Sequence, residues 1–313
     1  MFGFYDKYFT IFGINIAYYG LIIAIGMGLG VFLACRNAKF RGLKGDDIII
    51  LACYVIPLSI IGARLYFVLF SLEQFTSFWQ IFEIWKGGMA IYGGVIGGAI
   101  GVMIYCLIHK KNFLDVADVV VPSLLLGQVI GRWGNFFNQE AYGYYISNPS
   151  AQWFPIGVYI EDCHQAVCEC GGSGWHLATF FYESIWNLCV FALLLILLRK
   201  NKTRLRGSLM CLYLIGYGAG RVWIEGLRTD SLYLGSLRVS QFLSILLILF
   251  GIVFIIVNAV LYKKGKIRDL NSLRPFYQVN LTKKKDEIVK KDEKMPKTKE
   301  NIDKDKNPQD KEE

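Results

Sequence analysis

The run from Gly131 to Gly143, GRWGNFFNQEAYG, sets Arg132, Asn135, Asn138 and Glu140 among three glycines and four aromatic residues, at the end of an apolar segment. Polar groups beside hydrocarbon are costly unless something polar is bound to them. The guanidinium of Arg132 offers five donors in a fixed planar fork, the geometry that suits a phosphate. Gly131, Gly134 and Gly143 let a backbone come close to a ligand. The chemistry this predicts is a grip on the phosphate of a lipid head group.

Other ionisable residues fall inside apolar stretches, where they are functional candidates by default. Tyr217, Arg221 and Glu225 are spaced i, i+4, i+8 and share one helix face, with Arg228 following. Glu183 and Asn187 form another i, i+4 pair, and Arg64 lies inside GARLYFVLF. Together they suggest a preorganised anion site. The plainer alternatives are an intrahelical ion pair for Arg221 and Glu225, and a purely structural role for Arg64.

These residues must be held by membrane-spanning helices. The chain is 54% hydrophobic and 15% aromatic, with a mean hydropathy of +0.38. Its apolar residues come in runs near the ~20 residues that cross a bilayer. Seven spans are predicted, at 14–35, 47–70, 87–108, 114–131, 177–198, 208–227 and 240–262. The fourth is the weakest, because it is short and contains Asp115, Asp118 and Pro122. Lys and Arg cluster after the first, third, fifth and seventh spans, while 71–86 and 132–176 carry only Lys86 and Arg132. The positive-inside rule then places the N-terminus outside and the C-terminus in the cytoplasm. The first apolar stretch has no basic n-region and reads as a span, not a cleaved signal.

The predicted organisation is therefore all-α. Residues 1–265 form a seven-span membrane domain, with 132–176 as a small extracytoplasmic cap, and 266–313 form a charged, disordered cytoplasmic tail. Residues 281–313 hold 11 Lys against 10 acidic residues, so nearly all of the net charge of +9 lies in the membrane part. No basic stripe with interleaved aromatics lies outside the spans, which argues against nucleic acid. Cys163, Cys168 and Cys170 in the cap leave open one disulfide, free thiols, or a metal site with His164 or His176, although the spacing fits no standard zinc pattern. The other five cysteines are expected to be small core residues. In GGMAIYGGVIGGAIG, Gly97, Gly98 and Gly101 suit close helix contact, whereas the doublets flanking Tyr92 could open room for a lipid.

Taken together, these residues resemble the prolipoprotein diacylglyceryl transferases of bacteria. The resemblance runs in order through Tyr18-Tyr19-Gly20, GARLYFVLF at 62–70, GGMAIYGGVIGG at 87–98, GRWGNFFNQEAYG at 131–143, TFFYESIWN at 179–187 and YGAGRVWIEGLRTDSL at 217–232. It implies transfer of a diacylglyceryl group from phosphatidylglycerol to the lipobox cysteine of a prolipoprotein at the cell membrane. Glycerol phosphate is released, and no cofactor or metal is needed. It also implies functional roles for Tyr19, Arg132, Asn135, Glu140, Gly143, Tyr217, Arg221 and Glu225. Two positions depart from the family pattern: Tyr92 stands where a histidine, the family's suggested base, is frequent, and Leu177 stands where a proline is common after His176.

The implied reaction displaces a phosphate ester at a glycerol carbon by a thiolate. The leaving phosphate needs charge stabilisation, which Arg132 and Arg221 could supply. Tyr92 is either a phenolate base or a positioning group for a thiol that ionises in the positive field. The second is favoured, because a thiol near ~8.5 needs less lowering than a phenol near ~10. His164 and His176 are expected on the correct side for a substitute base, His176 being the better of the two, whereas His109 is expected at the opposite, cytoplasmic end. The rival readings are a lipid or anion transporter, and a lipid-binding regulator that has lost catalysis at Tyr92.

Overall fold

The computed structural model describes residues 8–11, 14–84, 87–161, 173–200, 205–229, 231, 233–234 and 237–266. Cys163, His164, Cys168, Cys170 and the tail from 267 lie outside the described residues. The helices are α1 (Tyr18–Asn37), α2 (Gly45–Phe70), α3 (Ile91–Ile108), α4 (Phe113–Asn138), α5 (Thr179–Arg199), α6 (Ser208–Gly226) and α7 (Val239–Lys263). Six of them, all but α6, are long and apolar enough to cross a membrane, so the chain is a predominantly helical, multi-pass membrane protein. α6, expected as a span, does form and packs against α5 and α7. Its glycines, together with Arg221 and Glu225, reduce its apolarity.

The outer faces of the helices are apolar: Ile61, Leu65 and Leu69 on α2, Val95 and Met103 on α3, and Leu249, Val253 and Ile256 on α7 are exposed. Lipid is the solvent these side chains suit. Lipid tails give helices no hydrophobic reason to associate, so close packing and polar contacts must hold them together. α2 and α3 do this through glycine. A Cβ on Gly62 would lie 2.4 Å from the Gly93 carbonyl oxygen, and one on Gly97 would lie 2.2 Å from that of Leu58. Gly93 therefore faces α2 and opens no space beside Tyr92.

α4 is the central helix, with Val116 and Val119 in one buried cluster beside Ala34, Leu51 and Tyr105. Val121 and Leu125 lie in a second cluster with Leu194, Leu198 and Leu209. The Asn112 side chain caps its start, accepting from Leu114 N at 3.0 Å. α4 continues past Pro122 and ends only at Asn138, seven residues beyond the expected boundary at 131. Gln139, in the left-handed region at φ 53°, then turns the chain.

The acidic residues that weakened the prediction for this helix have a structural use. Asp118 is fully buried and accepts from Arg41 Nε at 3.1 Å, Gly207 N at 3.1 Å, and Leu209 N and Met210 N at 3.0 Å each. It is a cap for α6 supplied by another helix. Arg206 Nε lies 3.2 Å from Asp115 beside it.

At the other end, the described residues 139–161 and 173–178 form a cap that adds short strands to the helical framework. Strands β3 (Gly157–Ile160) and β4 (Gly174–Leu177) pair antiparallel, with Val158 opposite His176. Two further antiparallel pairs are present among the described residues: β1 (Tyr8–Ile11) with β2 (Ile14–Ala17), and the shorter β5 (Tyr233–Leu234) with β6 (Leu237–Arg238). Of the five described cysteines only Cys106 and Cys211 are buried; Cys53 and Cys189 lie on the apolar exterior, which corrects the expectation that all five are core residues.

Candidate functional site

Three helices bring their charges together under the cap. Arg132 on α4 donates through Nη2 to Glu183 Oε1 of α5 at 2.5 Å. Arg221 on α6 donates through Nη1 to the other oxygen of Glu183 at 3.1 Å. Its Nη2 meets Glu225 Oε2, one turn along the same helix, at 2.5 Å. One buried carboxylate thus holds two guanidinium groups from two different helices. The intrahelical Arg221–Glu225 pair expected from the i, i+4 spacing is present, as part of this longer chain of charges.

The chain continues along α4. Because α4 remains helical to Asn138, Arg132 and Asn135 are i, i+3 neighbours, and Arg132 Nη1 lies 3.5 Å from Asn135 Oδ1. The Nδ2 groups of Asn135 and Asn138 then donate to Glu140 Oε1 at 2.9 and 3.3 Å. Glu140 is exposed at the edge of the cap. The run from Gly131 to Gly143 is thus a helix end followed by a turn, with its amides bound to its own carboxylate.

The remaining expected residues surround this chain. Tyr19 packs on Gly134, where a Cβ would lie 2.7 Å from its ring. Tyr217 stacks on Tyr213 with ring centroids 5.7 Å apart. Gly143 is closely enclosed: its N–H donates to Leu177 O at 2.9 Å, and a Cβ there would lie 2.8 Å from both Leu177 Cβ and Leu227 O. Its place is the seam where the cap meets the end of α6. Tyr92 packs with Tyr66 of α2 at 6.3 Å and is no member of the ionic chain.

Of the candidate substitute bases, His164 lies outside the described residues, and His176, like the remote His109, has structural contacts. His176 is buried, and its Nδ1 lies 3.0 Å from Gly143 O, which makes Nδ1 the donor, because a carbonyl can only accept. Burial pushes its pKa below the ordinary histidine value, against the raising effect of that hydrogen bond. His109 caps the far end of α3 and packs on Tyr105 at 4.7 Å, as expected for a residue remote from the cap. Arg64 donates to four backbone carbonyls, those of Gln80, Ile81, Gly87 and Gly88, at 2.7 to 2.9 Å. Its observed contacts are those of a clamp on the α2–α3 connection.

Two further residues matter whose partners no sequence spacing reveals. Glu183 is visible in the sequence only as a carboxylate in an apolar segment; its partners come from α4 and α6. Arg238, just before α7, donates to the Glu225 carbonyl, to Tyr233 Oη at 2.9 Å and to Tyr144 Oη at 3.1 Å. It ties the end of α6 to the cap.

Fold and site define an integral membrane protein with a chain of arginine–carboxylate pairs joining three helices under its cap. The family model described as prolipoprotein diacylglyceryl transferase matches residues 6–257. Relatives named phosphatidylglycerol–prolipoprotein diacylglyceryl transferase include one from Clostridium perfringens, 44% identical over 82% of this chain and 95% of its own length. Another, from Oceanobacillus iheyensis, is 44% identical over 78% of this chain and 84% of its own. A third, from Streptococcus equi subsp. zooepidemicus, is 42% identical over 77% and 90%. The chain belongs to the prolipoprotein diacylglyceryl transferase family: it is a transferase and a multi-pass protein of the cell membrane.

Proposed function

We propose that the chain moves the diacylglyceryl group of phosphatidylglycerol onto the lipobox cysteine of prolipoproteins, the first step of lipoprotein maturation. The cysteine sulfur bonds to the glycerol carbon as the bond from that carbon to the phosphate oxygen breaks. The electron pair leaves with glycerol phosphate, and the thiol proton passes to that phosphate or to water. One observation carries the reading: Arg132 and Arg221 converge from separate helices on Glu183. Two forked donors held in advance are what a leaving phosphate needs, and holding them costs no rearrangement during reaction.

In this reading Arg132 and Arg221 are catalytic, and Asn135, Glu140, Tyr19, Tyr217 and Glu225 shape the binding site. Gly143 lets the cap close against α6. Tyr92 orients lipid or thiol, and the cysteine ionises in the field of the arginines. The membrane topology is seven spans, α6 included, with the cap outside and the C-terminus in the cytoplasm. Lipid enters sideways from the bilayer, without cofactor or metal. Family membership favours this over the transporter reading, which does not account for the ordered motifs.

The test is thioether formation on a lipobox peptide from phosphatidylglycerol vesicles, read by mass spectrometry. Arg132→Ala and Arg221→Ala should each slow transfer by at least ~100-fold, the usual loss for one preorganised donor. Arg132→Lys should fail as well, for want of the planar fork. Near-normal turnover in either alanine variant would remove that arginine from the mechanism.

A further inference from the structure

One helical turn inside the ionic chain, two amide side chains are left with open hydrogen-bonding groups. Asn187 is 1% exposed, and neither its Oδ1 nor its Nδ2 has a partner among the described residues. Gln128 donates through Nε2 to Tyr213 Oη at 3.0 Å, while its Oε1 has no partner among the described residues. Turning that amide over would exchange the two ends and still leave one open. Buried polar groups are almost always satisfied, and an unmet one costs the full penalty of its desolvation.

Register places the two amides together. α4 and α5 run antiparallel with Arg132 on Glu183, and Ser184 Oγ donates to Val129 O at 3.0 Å. The next turn inward therefore sets Gln128 opposite Asn187. On α6 the residue one turn inward from Arg221 is Tyr217. The open acceptor and donor groups thus lie about one turn, ~5.4 Å, from the two guanidiniums.

We infer that Gln128 and Asn187, walled by Tyr217, form a subsite for the hydroxyl groups of a small polyol joined to the phosphate. This rests on the functional reading above and names what its substrate presents: the head-group glycerol of phosphatidylglycerol. That glycerol carries two neighbouring hydroxyls, each both donor and acceptor, and reaches about one helical turn from the phosphate. The amide of Asn187 can both donate and accept, and Gln128 Oε1 accepts. Lipids without head-group hydroxyls would leave these groups unmet, which makes the pair specificity-determining.

The experiment compares phosphatidylglycerol with phosphatidylpropanol, which has the same phosphate, charge and chains but no head-group hydroxyls. Transfer to a lipobox peptide and displacement of a fluorescent phosphatidylglycerol analogue are measured for wild type, Asn187→Leu and Gln128→Leu. Wild type should prefer phosphatidylglycerol by at least ~10-fold in both assays, a loss typical of unmet polar groups. Either variant should bring phosphatidylglycerol down to the level of phosphatidylpropanol and leave the latter unchanged. A preference that survives both substitutions, or an equal effect on the two lipids as expected of resident water, overturns the subsite. Displacement reads the subsite whatever the turnover. Binding preference without transfer in wild type would therefore count against the functional reading alone.

Discussion

Tyr92 and His176 are the two residues on which the thiol's activation turns. Tyr92 packs on Tyr66 and lies outside the ionic chain, which suits a positioning role. Tyr92→Phe should lose about 5- to 150-fold in transfer, the worth of one hydrogen bond. Its rate should still climb with pH toward the thiol pKa. A pH–rate profile checks this, and complete inactivity in a folded, lipid-binding variant would favour the phenolate instead. His176 is held neutral by burial, with its folded pKa below the ordinary value. Protonation then favours the opened cap, so the stability it lends is fully present above ~6.5 and is lost as pH falls below that value. Limited proteolysis of the cap between pH 7 and 5 should show this loosening. His176→Gln should flatten the dependence, and an unchanged profile in that variant would assign the effect to other groups.

Among the helices, α4 does the most positioning. It carries Arg132 near one end and Asp118 near the other, and each meets a partner on another helix, Glu183 of α5 and the start of α6. Asp118→Ala would remove one buried carboxylate from Arg41 and leave the first N–H groups of α6 without their cap. Breaking such a pair costs about 3–5 kcal/mol. Thermal unfolding in detergent should show a large loss of stability, with Asp118→Asn intermediate because its amide oxygen still accepts. An alanine variant that unfolds at the wild-type temperature would show that α6 does not depend on this cap. The same helix shows why its boundary was hard to place. Gly131 and Gly134 look like chain breakers, yet Gly134 is the flat spot on which Tyr19 rests.

For the whole molecule, orientation in the membrane is the most direct prediction. In a background without native cysteines, a cysteine replacing Ser150, exposed in the cap, should react with an impermeant maleimide in intact cells. One replacing Lys110, exposed beyond α3, should react only after permeabilisation. The reverse pattern would invert the topology. It would also put the charged end on the side where secreted prolipoproteins cannot present their cysteine.

Sequence alone determined that this is a helical membrane protein, because hydrocarbon demands long apolar runs and charge is expelled to the loops by physics that acts within each segment. It also marked Arg132, Arg221 and Glu225, since hydrocarbon tolerates a charge only where that charge is paired or holds something polar. The i, i+4 pairing on α6 was legible because one helix contains both partners. Other features depend on which helices touch. Glu183 became the shared counter-ion only when α4 and α6 met α5. Asp118, which weakened a predicted span, proved to be another helix's cap. The doublet at Gly93 turned from open space into a contact with Gly62. Gly143, read as a place for ligand, lies in a packed seam. Hydrogen bonds and ion pairs between helices carry no sequence period, so only the tertiary structure decided them.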